Sequence, residues 1–439
     1  MTMDAAAALD IDPLLDDPKT RIVVCCGSGG VGKTTTAAAL GLRAAERGRK
    51  VVVLTIDPAR RLAQSMGIDS LDNTPRRVKD VEGDGELHAM MLDMKRTFDE
   101  IVEAHADPER SRAILSNPFY QSLSAGFAGT QEYMAMEKLG QLRARDEWDL
   151  IVVDTPPSRS ALDFLDAPKR LGSFLDGKFI RMLMAPAKMG GRAGMKFLNV
   201  GMSMMTGTLG KLLGGQLLRD VQTFVAAMDT MFGGFRTRAD ATYRLLQAPG
   251  TAFLVVAVPE RDALREAAYF VERLAADSMP LAGLVLNRVH GSGAARLSAE
   301  RSLAAAEHLE EGHQEEQPPE EGPGENLVDG GIVDQRYGKA EDRGTGGSSP
   351  EAPSPTGPGD GSPEDGVSVD RLTAGLLRLH AERMQVLARE QRTRDRFTAL
   401  HPEVPVAEVA ALPGDVHDLA GLRAIGERLA AQEESAGAL

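Results

Sequence analysis

One nine-residue stretch, Gly27 to Thr35 (GSGGVGKTT), limits what this chain can fold into more than any other. The run before it, "RIVVCC", is β-rich and bounded by glycine. The run after it, "TTTAAALGLRAAERG", is helix-forming and stops at Gly48. A glycine-rich turn between a strand and a helix, closing on Gly-Lys-Thr, reads as a phosphate cradle. The glycines allow close backbone approach, and the amides and helix N-terminus bind phosphate oxygens. On that reading Gly29, Gly30, Val31 and Gly32 supply the cradle, and Lys33 reaches the β- and γ-phosphates of ATP. Thr34 ligates Mg²⁺, and Thr35 faces the α-phosphate. The competing reading is a plain glycine turn with a capping threonine; strand, helix and lysine together favour the cradle.

Further apolar runs repeat the pattern of that first strand. "KVVVLTID" ends in Asp57, "WDLIVVDTPP" carries Asp154, and "TAFLVVAVPE" and "LAGLVLNRV" also finish in polar residues. Continuous rather than alternating runs imply strands covered on both faces. Strands separated by helical stretches imply a doubly wound, mostly parallel α/β sheet, and the Gly27–Thr35 loop resembles that of P-loop NTPases of the deviant Walker A class. Ligands of such sheets lie at the carboxyl ends of the strands, where these polar residues stand. Asp154 is the expected partner of the metal, with a helix-capping or surface aspartate as the alternative. Asp57, followed by Pro58, either orients the attacking water or caps a turn.

Residues 1–19 read as a flexible arm and 20–311 as the ATPase core. Two helical stretches, about 86–147 and 168–247, interrupt the core as a lobe. The second is rich in methionine: nine of the chain's 19 lie between Met182 and Met231. Residues 312–367 are rich in Pro, Gly, Glu and Ser and too poor in apolar groups to bury a core, so a disordered acidic insertion is expected. Residues 368–439 read as the rest of the ATPase domain: a long helix, a last strand "VPVAEVAAL" and a terminal helix from about His417.

A net charge of -14 argues against nucleic acid as the main partner. The first twenty residues lack the basic stretch of a signal peptide. No run reaches about 18 uncharged apolar residues, so no spanning segment is expected, although peripheral membrane contact stays open. The two cysteines, Cys25 and Cys26, are adjacent on a strand and should point to opposite faces, which fits a reduced, cytoplasmic setting.

Four spaced motifs resemble those of the ArsA-type ATPases, the family of the arsenite-pump subunit and of the ATPase that targets tail-anchored membrane proteins. "GSGGVGKTT" is similar to the family's "GKGGVGKTT". "TIDPARRLAQSMG" resembles the first switch, which implies that Asp57 activates water. "VVDTPPSRSALDFL" resembles the second switch, which implies that Asp154 is linked to the metal. "LVLNR" resembles the strand whose asparagine reads adenine, implying Asn287; a turn-forming asparagine is the alternative. "VPERDALREA" resembles a segment that brings Pro259 and Glu260 near the nucleotide or the dimer interface, and "VPVAEVAALPGDVHDLAGL" the loop that packs on the base.

The departures from the family pattern are specific. Ser28 stands where the family has a lysine that crosses a dimer interface to the partner's nucleotide. Arg60 and Arg61 replace the His and Asn of the first switch, and Ser158-Arg159-Ser160 replaces Thr-Gly-His of the second. The serine resembles an actinobacterial-looking branch. A cation supplied in trans is worth roughly 10³–10⁵ in rate where arginine fingers act. A homodimer or, favoured here, a hetero-dimer with a related subunit that keeps the lysine is therefore expected, with Arg60 or Arg159 as substitute cations.

The Met-rich stretch suggests a groove for a hydrophobic helix client; ordinary helical core and a membrane-surface helix are the alternatives. A regulatory hetero-complex without a targeting role is the second functional reading. Arsenite transport is the third, disfavoured because soft thiolate ligands are nearly absent.

Overall fold

The computed structural model describes residues 7–56, 61–118, 120–121, 130–156, 234, 237–315 and 369–431. Among the described residues eight strands form one sheet: β1 Ile22–Cys26, β2 Lys50–Thr55, β3 Arg76–Arg77, β4 Glu86–Met91, β5 Leu150–Asp154, β6 Thr251–Ala257, β7 Leu281–Val289 and β8 Val406–Ala410. Their order is β3-β4-β2-β5-β1-β6-β7-β8. All pairs are parallel except β3 with β4. Every residue of β1, β5 and β6 is buried, as continuous apolar strands in a covered sheet must be.

Side chains alternate along β1 into two cores. Ile22, Val24 and Cys26 join one, beneath α4 (Met94–His105), α6 (Thr130–Ala144) and α7 (Arg261–Ala276). Val23 and Cys25 join the other, beneath α2 (Lys33–Glu46) and α10 (Leu419–Ala430). The adjacent cysteines thus lie in separate layers. The short helices α3 (Arg61–Ser65) and α5 (Pro108–Leu115) complete this unit, together with helical residues 237–247 and the end of α9 (Val369–Leu400). A second unit, Ser292–Val386, contains α8 (Ala299–Glu315) and the start of α9, joined by the Arg378–Glu310 pair at 2.6 Å.

Two expectations need correction. Of the arm 1–19, residues 7–19 are docked rather than flexible. Leu9 N–H donates to the Val406 carbonyl at 3.0 Å, and Val406 N–H to that of Ala7 at 2.9 Å. Helix α1 (Ile11–Asp16) buries Ile11 and Leu15 completely, one helical turn apart. Its outer face carries Asp12 and Asp16, which pair with Arg43 on α2 and Arg47 at its C-cap. Within the stretch read as helical from 86, residues Glu86–Met91 are β4, paired along β2. Leu87 and Ala89 fill one core and Met90 the other, a period of two that the following apolar "ML" masked. Helix begins at α4, where the Asp93 carboxylate accepts from Arg96 N–H at 2.9 Å. Nearly all of the Met-rich stretch and the acidic insertion lie outside the described residues.

Candidate nucleotide site

The phosphate-loop residues leave β1 at the middle of the sheet and enter α2. Gly27 has φ +148, and a Cβ there would lie 2.1 Å from the Val256 carbonyl oxygen, so the loop starts where β6 leaves no room for a side chain. Gly32, the α2 N-cap, has φ 94 and ψ 22. The first amides of α2 are the orphan donors of a helix N-terminus, directed at an incoming anion. Lys33 is 6% exposed, and its Nζ donates to the Ser28 carbonyl at 2.7 Å, spanning the loop.

Asp154 ends β5 and is fully buried. The register sets it beside Cys25 of β1 on one side and Thr55 of β2 on the other. Its Oδ2 accepts from Thr34 Oγ1 at 2.7 Å and from Thr55 Oγ1 at 2.9 Å. The expected metal residues, Thr34 and Asp154, are thus joined although 120 positions apart. Thr35 follows in the first turn of α2, half-buried.

Asn287, at the end of β7, also reaches the loop. It is 7% exposed, and its Nδ2 donates to the Val31 carbonyl at 2.9 Å. A side-chain amide has two N–H groups and an acceptor oxygen. Bracing the loop therefore leaves it capacity to pair with a base. Pro259 is buried and Glu260 exposed where α7 begins.

Asp57, Pro58, Ala59 and Arg60 lie outside the described residues, as do Ser158, Arg159 and Ser160. The backbone leading to Asp57 is nevertheless held. Ile56 N–H donates to the Asp154 carbonyl at 3.0 Å, and Gln131 Nε2 on α6 donates to the Ile56 carbonyl at 2.9 Å. Thr55 and Gln131 were not foreseen. Thr55 carried a signal, a polar residue closing the apolar run "VVVLT"; Gln131 carried none, because only the tertiary fold brings α6 there.

The anion-transporting ATPase model matches residues 20–303. The chain belongs to that family. It is similar to ATPase GET3 of Malassezia globosa, 31% identical over 170 residues, which are 39% of this chain and 49% of that protein. ATPase GET3 of Podospora anserina is 24% identical over 288 residues, 65% of this chain and 78% of the relative. That of Phaeosphaeria nodorum is 24% identical over 298 residues, 65% and 84%. The chain thus spans about half of the first relative and more than three quarters of the other two. Family, fold and loop agree on an ATP-hydrolysing enzyme.

Proposed function

We propose that this chain is a Mg²⁺-dependent ATPase working as a dimeric switch, and that it couples hydrolysis to the handling of hydrophobic membrane-protein segments. The observation that carries the reading is the Thr34–Asp154 hydrogen bond, which ties the phosphate loop to the strand end where the second switch-like stretch starts. A hydroxyl and a carboxylate are the hard oxygen donors that Mg²⁺ prefers. Thr34 would hold the ion and Asp154 would orient Thr34. The ion, when bound, supplies neutralisation of charge on the β- and γ-phosphates. Lys33 and the amides of Gly29–Lys33 bind the phosphates. Asp57 orients the water for in-line attack, and Asn287 pairs with adenine while bracing the loop.

The client side rests on the family resemblance and on the methionines between Met182 and Met231, which follow the second switch-like stretch in sequence. No helix among the described residues is long and apolar enough to cross a membrane. A client-handling factor of this kind would work in the cytoplasm. Ser28 favours a second form of the reading, in which an unlike subunit supplies the missing cation or the complex is regulatory.

Metalloid handling is the weakest alternative. Both cysteines are fully buried, and burial pushes the Cys26 thiol up to about 12 and that of Cys25 well above its ordinary value. Neither thiol is poised to be a thiolate ligand at neutral pH.

The test is a pull-down with the Asp57→Asn chain held in ATP, alongside nucleotide binding and turnover. Asp57→Asn should bind ATP and hydrolyse it poorly, and Lys33→Ala should lose binding. Recovery of small membrane proteins, lost when Met202, Met204 and Met205 are replaced by charges, supports client handling. Normal turnover by Asp57→Asn removes that residue from the mechanism.

A further inference from the structure

We infer that Thr55 is a positioning residue for the metal site: it fixes the carboxylate of Asp154 so that Thr34 presents its oxygen to Mg²⁺. Thr55 opens the stretch that resembles the first switch, but that resemblance assigns a role only to Asp57, and the inference rests on reading Thr34 and Asp154 as the metal pair.

The geometry is specific. Thr55 is the last residue of β2 and is 1% exposed. Its Oγ1 donates to Asp154 Oδ2 at 2.9 Å, the same oxygen that accepts from Thr34 Oγ1 at 2.7 Å. The next residue, Ile56, donates its N–H to the Asp154 carbonyl at 3.0 Å. Asp154 is therefore held to the end of β2 through both its main chain and its side chain. A carboxylate has a free rotation about its last torsion unless donors fix it. With two hydroxyl protons directed at Oδ2, the lone pairs of the Thr34 oxygen must point away from Asp154, out toward the loop. That is the direction from which a cation on the phosphates would approach.

A threonine at a strand end can also serve packing alone, since β-branched side chains suit strands. Valine has the same shape without the proton, so Thr55→Val separates the two roles. Hydrogen-bond partners of metal ligands typically contribute about 10–100-fold to metal affinity or activity, and Thr55, one hydrogen bond further out than Asp154, is assigned the low end of that range.

The experiment uses the full chain and a fluorescent ADP analogue, titrated in EDTA and in rising Mg²⁺. Thr55→Val should leave affinity in EDTA unchanged and raise the Mg²⁺ concentration needed for half-maximal tightening by about tenfold. Thr55→Ser, which keeps the hydroxyl, should restore it. Melting temperatures of both variants near the parent value establish that the fold is intact; should Thr55→Val melt early, Thr55→Ser against Thr55→Ala gives the same comparison. Asp154→Asn is the control for the underlying reading and should abolish most of the Mg²⁺ response. If Asp154→Asn loses the response and Thr55→Val keeps it, Thr55 is only a packing residue. If Asp154→Asn also keeps it, the metal assignment itself fails, and the inference with it.

Discussion

Replacing Gly32 by alanine tests how the loop and β7 are joined. The Gly32 backbone sits at φ 94 and ψ 22, which an L-residue adopts at a cost of roughly 1–3 kcal/mol. The new Cβ would lie 2.2 Å from Asn287 Nδ2, so the amide must move. Movement itself is cheap for the end of a side chain. The cost is the hydrogen bond to Val31, about 0.5–1.5 kcal/mol net, and more if the displaced amide stays buried without a partner. Gly32→Ala should therefore destabilise by roughly 2–4 kcal/mol. Asn287→Ala alone loses the same hydrogen bond. In the double variant that bond is lost once, not twice, and the space for the Cβ is open. The two effects should fall short of additivity by about 1 kcal/mol. Urea unfolding can be followed on Trp148, the single tryptophan, buried just before β5. A double variant destabilised by the full sum of the singles, within about 0.5 kcal/mol, would refute the clash as the link between them.

Two further outcomes follow from other contacts. Gln131→Leu frees the Ile56 carbonyl just ahead of Asp57, so turnover should fall roughly ten- to hundredfold while nucleotide affinity holds; equal turnover would show that α6 does not position this loop. Hydrogen bonds from Arg43 and Arg47 hold the carboxyls of Asp12 and Asp16 below the usual carboxylate range. Such groups stabilise fully above their unfolded value of 3.8, and the contribution is lost as pH falls through the lower folded values. The melting difference between the parent and an Asp12→Asn, Asp16→Asn double variant should hold from pH 7 to about pH 5 and shrink progressively as pH falls below 3.8; a difference that does not shrink at all below pH 3.8 contradicts the pairing.

Much of this was readable before any coordinates. The strands around the loop are continuous apolar runs, and burial on both faces leaves that trace directly in sequence. Lys33, Thr34 and Asp154 are candidates because each stands where a strand or the loop ends, whereas Asn287 is a candidate only through the resemblance to the family's adenine strand. What escaped was short or depended on distant partners. In β4, only six residues long, both faces are covered at its end, so Ala89, Met90 and Met91 show no alternation of apolar with polar residues. In α1, six residues long, Ile11, Leu14 and Leu15 stand among Asp12 and Asp16, and the aspartates are held only because Arg43 and Arg47 lie 31 positions away to receive the carboxylates. Gln131 looks like any polar residue on a helix until α6 is packed over the end of β2.

The strand order has a consequence for how the protein is made. Strand β1 lies between β5 and β6, so Ile22 must wait for Thr251 before its second edge is covered. Ribosomes add about 5–20 residues per second, so that wait lasts roughly ten to fifty seconds. Throughout it, the most apolar strand of the sheet is on a nascent chain with an open edge, the kind of surface that recruits other chains. Closure then needs β8, which in turn pins the much earlier segment at Ala8. A topology this non-local folds slowly. The glycine-rich loop after β1 is thus translated long before its surroundings are complete, and its biogenesis should lean on holding chaperones.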